Sequence, residues 1–339
     1  MDLNKFINHY VVRRSNSIFE NDILMNSSEL CAAIEGKSIL VIGGAGSIGS
    51  SFIRAVLSYG PVELYVIDIN ENALAELTRD LRSSEMHVPP VYVTYPMDYS
   101  SSTFRRMFRK HRGFDIVANF SAHKHVRSEK DVYSVEALLR NNVINAQGLL
   151  ELLSEYKPDS YFCVSTDKAA NPVNIMGASK RIMEDLIFSY STLFPVKTAR
   201  FANVAFSNGS LPAGFLGRMS KLQPISAPSD VRRYFVSPVE SGQICMLAAI
   251  LGRNREIFFP KFEEVQMMTF DVIAENLLKT NGYEIEYCES DEEAIRKAAD
   301  LKKGSKRYPV HFSVSDTSGE KAFEEFYTEK EVIDKERFA

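Results

Sequence analysis

The sequence predicts an α/β protein built on a doubly wound parallel sheet, with a smaller C-terminal lobe. Three observations lead there. From residue 38 to residue 166, short apolar runs rich in Val, Ile and Tyr alternate with helix-like segments, the rhythm of right-handed βαβ units covered on both faces. A turn with glycines at positions 43, 46 and 49 falls between the first run and the first helix. After residue 204 the rhythm breaks into a stretch rich in Gly, Pro and Ser.

Taken in order, residues 1–36 carry apolar clusters ("KFINHYVV", "NDILMN", "ELCAAI") among polar ones and are expected to form a short helical arm, packed on the body or on a neighbouring subunit. Strands are expected at "SILVIGG", "VELYVID", "PPVYVTY", "FDIVANF" and "SYFCVST", with helices over 47–59, 70–84, 101–111 and 133–156. The next helix should begin near Asn174 and run through "MGASKRIMEDLIFSYSTLF", before a sixth strand within "VKTARFANVAF". Residues 262–330 mix a helix, a charged segment and an irregular tail. No internal repeat or low-complexity tract stands out.

Composition bounds the partners. Of 339 residues, 45% are hydrophobic and 25% charged, which fits neither disorder nor a fibrous class. A net charge of −4 lacks the basic face of a nucleic-acid binder, so nucleic acid is not expected as the main partner. The four cysteines, Cys31, Cys163, Cys245 and Cys288, form no CxxC pair or Cys/His cluster, which suggests a reduced cytoplasmic chain without a structural metal. The N-terminal segment is too polar for a signal peptide, and no run approaches the ~20 apolar residues of a membrane span. A soluble protein without membrane attachment is the expectation.

The glycine turn, "SILVIGGAGSIGS", has a physical task at each position. Gly43 permits a tight turn, Gly46 lets a pyrophosphate approach the backbone, and Gly49 lets helix and strand pack closely. Ser47 and Ile48 open the helix, whose N-terminal donors and dipole suit an anion. The second strand ends at Asp68, nineteen residues beyond Gly49, where a carboxylate grips an adenosine ribose. That acid favours NAD over NADP, because a 2′-phosphate would meet like charge. Asp98, after the third strand, is a candidate acceptor for an adenine amino group, or simply a solvated carboxylate. Residues 37–203 are therefore read as a Rossmann-type NAD-binding domain, and 204–339 mainly as a substrate-binding lobe and tail intertwined with it.

The fifth strand leads into Ser165, Thr166, Asp167 and Lys168, at the edge of the sheet where ligands bind. Met176 and Lys180, four residues apart, share a helix face. A lysine there can bind a nicotinamide ribose and, by its charge, favour deprotonation of a neighbouring acid. A thioether at 176 takes no proton, which disfavours chemistry based on a tyrosine at that position.

Several separated stretches resemble the extended short-chain dehydrogenase/reductases, and most of all the nucleotide-sugar 4,6-dehydratases of bacterial polysaccharide biosynthesis that act on UDP-N-acetylglucosamine. They are "STDKAANPVNIMGASKR" (165–181), "NFSAHKHV" (119–126), "ARFANVAFSNGSLP" (199–212), "DVRRYFVS" (230–237) and "SGEKAFEE" (318–325). The superfamily's helix motif is Tyr-x-x-x-Lys; this chain resembles the variant with methionine in place of tyrosine.

The resemblance implies a bound NAD and a cycle in which Lys168 takes the C5 proton while Asp167 protonates the departing C6 hydroxyl. Thr166, with Asp167 or a water relay, is left to handle the C4 hydroxyl, and Met176 fills space beside the nicotinamide. Lys124 and His125 are implied to contact the substrate or its diphosphate. Asn203, Ser207, Ser210 and Arg233 are implied nucleotide-sugar contacts, and Glu320 and Lys321 would fix the tail. His123 departs from the family pattern and is given no role; Ala202 and Asn208 depart from it too, which leaves the nucleotide and sugar open, with UDP and GDP forms both standing. The resemblance also implies a homo-oligomer, joined through helices 133–156 and 175–194. A 4-epimerase, a 4-ketoreductase and a noncatalytic NAD-binding protein stand as alternatives.

Overall fold

The computed structural model describes residues 1–126, 129–315 and 324–339. Six strands, β1 (Ser38–Ile42), β2 (Glu63–Asp68), β3 (Val91–Pro96), β4 (Ile116–Asn119), β5 (Ser160–Val164) and β6 (Val196–Ala199), join the edge strand Ile257–Phe258 in a seven-stranded sheet. The order is 257–258, β6, β5, β4, β1, β2, β3, and every pairing is parallel. The chain enters at the centre, winds outward through β2 and β3, then crosses back to β4. The switch point between β1 and β4 is where open sheets of this Rossmann-type class take ligands.

Burial explains the strand composition. Ile39, Leu40 and Val41 of β1 are fully buried, as strands covered on both faces must be. Phe104 and Phe108 of the helix Ser102–His111, Leu149, Leu150 and Leu153 of the helix Asn145–Glu155, and Ile187 of the helix Ile175–Ser189 belong to one apolar cluster with β1, β4 and β5.

The structure differs from the sequence reading in three places. The stretch 133–156 is not one helix: a π-helical turn, Arg140–Ile144, separates Val132–Leu139 from Asn145–Glu155. Residues 238–261 return to the main sheet as a buried helix, Pro238–Leu251, and the short edge strand. That helix is apolar almost all round, "PVESGQICMLAAIL", the pattern of a helix buried on every side. It runs close to the helix Ser47–Leu57, where a Cβ on Gly242 would lie 2.2 Å from the Ser51 carbonyl oxygen.

The third difference concerns the division of the chain, which falls into two compact units that do not follow boundaries at 36 and 203. One comprises residues 18–201, 238–261 and 325–339, and holds the seven-stranded sheet. The other comprises 1–17, 202–237 and 262–324. It carries a three-stranded parallel sheet in the order Glu284–Tyr287, Arg307–Ser313, Ile225–Pro228. Phe6, Ile7 and Val11 from the N-terminal turns share its core with Phe215, Leu277 and Tyr308, so the first residues are built into this unit. Among the described residues no helix is long and apolar enough to cross a membrane.

Candidate active site

The glycine turn follows β1. Gly43 has a left-handed φ of 71°, and a Cβ there would lie 2.8 Å from the Ser121 nitrogen in the segment after β4. A Cβ on Gly49 would lie 2.4 Å from the Gly43 carbonyl oxygen. Both glycines are therefore demanded by the protein's own backbone. Gly46 is not: its Cβ would meet only the Gly43 oxygen, at 3.3 Å. Gly46 caps the helix Ser47–Leu57 with no side-chain hydrogen bond among the described residues, while Ser47 and Ile48 are half-buried in its first turn. Space at Gly46 beside the amides of the helix N-terminus fits the pyrophosphate of a dinucleotide.

Asp68, at the end of β2, accepts from Ala45 N at 3.1 Å and Asn70 N at 2.9 Å, which joins it to the glycine turn. A carboxylate offers about four lone-pair positions, so capacity is left for ribose hydroxyls. It lines a cleft of about 260 Å³ together with Gly43, Ile69, Met97, Asp98 and Arg140. Ile69 and Met97 add apolar surface of the kind an adenine ring packs against, which the sequence reading had passed over. Asp98 is exposed and accepts from Ser100 N at 2.7 Å.

The reactive turn follows β5. Asp167 is 4% exposed, and its neighbours satisfy its carboxyl group. Lys168 Nζ lies 3.2 Å from each carboxylate oxygen, and Thr166 Oγ1 donates to Oδ1 at 2.6 Å. Thr166 Oγ1 also accepts from Lys168 N at 3.4 Å, closing a one-turn 3-10 helix. An acid, a base and a hydroxyl are thus held within one turn of chain.

Lys180 and Met176 are both buried in the helix Ile175–Ser189. Lys180 Nζ donates to the Val164 carbonyl at 3.0 Å, at the end of β5. Burial pushes its amine below the ordinary lysine range, opposed by Cys163 and Glu184. The helix start is fixed twice. Asn174 Oδ1 accepts from Gly177 N at 2.7 Å, and the Glu129 carboxylate accepts from Ile175 N at 3.1 Å and Met176 N at 2.5 Å. Glu129 was missed in the sequence because its partner is a backbone 47 residues away.

Asn142 was missed as well. It is 2% exposed, accepts from His123 N at 2.9 Å, and donates to His123 O and Ser179 Oγ at 3.0 Å each. It therefore ties the segment bearing exposed Lys124 and His125 to the helix bearing Lys180. It sits among polar neighbours, Arg140 and Asn141, in the π-turn Arg140–Ile144, so nothing in the local sequence sets it apart.

The remaining predicted residues belong to the other unit. Asn203 Nδ2 donates to Glu324 Oε1 at 2.7 Å, and Glu324 Oε2 accepts from Tyr234 N at 2.6 Å. Ser210 caps the helix Leu211–Ser220, and Ser207 O accepts from its N–H at 2.9 Å. Arg233 is 3% exposed and donates to Arg232 O at 2.8 Å. Glu320 and Lys321 lie outside the described residues.

This sheet, with a glycine turn after its first strand and the Thr166–Asp167–Lys168 turn after its fifth, defines a doubly wound Rossmann-type α/β protein, and comparison with known proteins narrows the class. The chain belongs to a polysaccharide biosynthesis protein family, whose model matches residues 39–338. An uncharacterized membrane protein of Methanocaldococcus jannaschii is 32% identical over 259 residues, 74% of either chain. The probable polysaccharide biosynthesis protein EpsC of Bacillus subtilis is 27% identical over 328 residues, 95% of this chain and 52% of EpsC. The chain thus spans about half the length of that relative. A UDP-N-acetylglucosamine 4,6-dehydratase (inverting) of Campylobacter jejuni is 24% identical over 302 residues, 86% of this chain and 82% of the relative. Among solved structures, Pen of Bacillus thuringiensis superposes with a TM-score of 0.70 at 21% identity, over 87% of this chain and 84% of that one. DesIV of Streptomyces venezuelae, a dTDP-glucose 4,6-dehydratase with NAD and TYD bound, gives a TM-score of 0.64 at 20% identity, over 85% and 88%. These likenesses show the fold.

Proposed function

We propose that the protein binds NAD and catalyses 4,6-dehydration of a nucleotide-activated N-acetylglucosamine, UDP in the first instance, to the 4-keto-6-deoxy sugar. The observation that carries this reading is the Thr166–Asp167–Lys168 turn, where a buried carboxylate holds both an amine and a hydroxyl. Elimination of water needs one proton removed and another supplied. The turn offers both: an amine that can take the C5 proton and return it, and a carboxylate that, once loaded with the C4 hydroxyl proton, can pass one to the departing C6 hydroxyl.

NAD, when bound, supplies a hydride acceptor and donor. Gly46 and the helix amides at Ser47 and Ile48 would hold its pyrophosphate, Asp68 its adenosine ribose and Lys180 its nicotinamide ribose. With a carbonyl at sugar C4, the C5 hydrogen becomes acidic and Lys168 Nζ accepts it, while the Asp167 carboxyl protonates the departing C6 hydroxyl. Thr166 Oγ1, already bonded to Asp167, hands the C4 hydroxyl proton toward that carboxylate. Met176 holds no exchangeable proton and serves as packing. Lys124, His125, Asn203, Ser207, Ser210 and Arg233 are proposed for the nucleotide sugar, with Arg233 suited to a diphosphate because its fork binds two oxygens. The chain is proposed to act as a homo-oligomer.

Support comes from the family, from the 24% identical dehydratase of C. jejuni and from the NAD carried by DesIV. The test is to incubate purified protein with NAD and either UDP- or GDP-N-acetylglucosamine. A loss of about 18 mass units with a 4-keto signal in NMR is expected for one nucleotide. An unchanged mass with a new C4 isomer would replace the reading with an epimerase.

A further inference from the structure

Behind the reactive turn lies a cluster of four charges that the chemistry above does not use. Glu184 and Arg200 are 1% and 0% exposed. Arg200 Nε donates to Glu184 Oε1 at 2.8 Å, and Nη2 to Oε2 at 2.5 Å. The same guanidinium reaches the C-terminal tail: Nη1 donates to Glu331 Oε2 at 2.9 Å and to Phe326 O at 3.0 Å, and Nη2 to Glu331 Oε1 at 2.8 Å. Arg181 Nη1 lies 3.4 Å from Glu331 Oε1 and 3.9 Å from Glu184 Oε2. Two guanidinium groups thus face the carboxylates of Glu184 and Glu331, and Arg181 also meets Asp185 at 3.5 Å on the exposed side.

On its other side Glu184 touches the chemistry. Its Oε1 accepts from Ser165 Oγ at 2.5 Å, and Ser165 is the residue between β5 and Thr166. Glu184 also stands one helical turn after Lys180, on the same face. Buried ion pairs add little stability over apolar residues of similar size, so the cluster is poorly explained as a stabiliser. Its geometry fixes where Ser165 sits, and with it the start of the acid–base turn.

We propose that Glu184 is a positioning residue for the Thr166–Asp167–Lys168 turn, and that Glu331 of the C-terminal tail sets it through Arg200. The proposal rests on the dehydratase reading for its kinetics and on the cluster alone for its structure. Seating of the tail therefore controls proton transfer more than substrate binding.

The experiment uses the full chain with Glu331→Gln and Glu331→Asp, since Glu331 is a quarter exposed and Arg200 keeps its pairing with Glu184 in either variant. Glu331→Gln should lower kcat about tenfold or more, as expected of a reactive group shifted by a fraction of an ångström. KM for UDP-N-acetylglucosamine should stay within twofold. Absorbance at 340 nm during turnover should exceed that of wild type, because elimination slows while hydride removal does not. Glu331→Asp should recover part of the loss. Hydrogen exchange read by mass spectrometry should rise in the tail and equally in the 165–168 segment, whatever the substrate. Faster exchange in the tail with 165–168 unchanged, or kcat within twofold of wild type, would overturn the proposal. A wild type that dehydrates no nucleotide sugar overturns the functional reading instead, and the exchange data then decide the positional claim.

Discussion

The turn after β1 and the turn after β5 stand at the same end of one sheet, built from opposite materials. The first is backbone: Gly43 and Gly49 are there because a Cβ would strike main-chain atoms, whereas a Cβ on Gly46 would meet only the Gly43 carbonyl oxygen, at 3.3 Å. The second is side chain: Asp167 and Lys168 are set against Thr166, with Lys180 buried alongside. A backbone turn is specified by adjacent residues. A buried charge is specified by partners from distant parts of the chain, such as Glu184 and Arg200 behind Ser165. The two turns should therefore fail in different ways when altered.

Asp167→Asn removes the proposed proton donor and should cost the largest factor, about 10²–10⁴ in kcat, with cofactor content and melting temperature near wild type. Steady-state kinetics beside a melting curve measures both; loss of folding in step with activity would mean that the charge is structural. In the glycine turn the contrast is internal. Gly49→Ala forces backbone apart and should destabilise by roughly 1–3 kcal/mol as well as weaken dinucleotide binding. Gly46→Ala should melt like wild type and lose dinucleotide affinity alone, at least about tenfold if one good contact is lost. Calorimetric melting and NAD titration of the two variants separate a turn made for the fold from a turn made for the ligand.

A subtler effect concerns pH. Burial lowers the Lys180 amine, so it loses its proton at a lower pH than an exposed lysine does, and activity that needs its charge should fall early on the alkaline side. Glu184 pulls the amine back up, so Glu184→Gln should move the alkaline limb of kcat/KM to lower pH. For stability, the unfolded chain holds this proton up to about pH 10.4 while the folded chain has released it, so the contribution of Lys180 rises with pH across that window. The smallest effect is reserved for Met176→Leu. If the thioether only fills space, kcat should stay within about threefold and stability within about 1.5 kcal/mol; a collapse of activity would give Met176 a chemical task.

The same contrast explains what could be read from the sequence. Parallel strands buried on both faces appear as continuous apolar runs, so "SILVI" and "SYFCV" were legible, as were glycines spaced for a turn. The helix Pro238–Leu251 was not, because a helix apolar all round shows no stripe, and a two-residue edge strand carries no pattern. The contacts among Thr166, Asp167 and Lys168 were legible because these residues are adjacent. Arg200 pairs with Glu331, 131 residues later, and nothing local announces such a contact. Asn142 and Glu129 escaped notice for the same reason, since each acts on backbone groups of a distant segment.

The central claim is that the turn after β5 eliminates water within a closed hydride cycle, and UDP-N-acetylglucosamine deuterated at C4 tests it most directly. The account predicts a product lighter by about 18 mass units that keeps its deuterium, now at C6, with no net change in cofactor. A product that has lost the label, or one of unchanged mass inverted at C4, would contradict it.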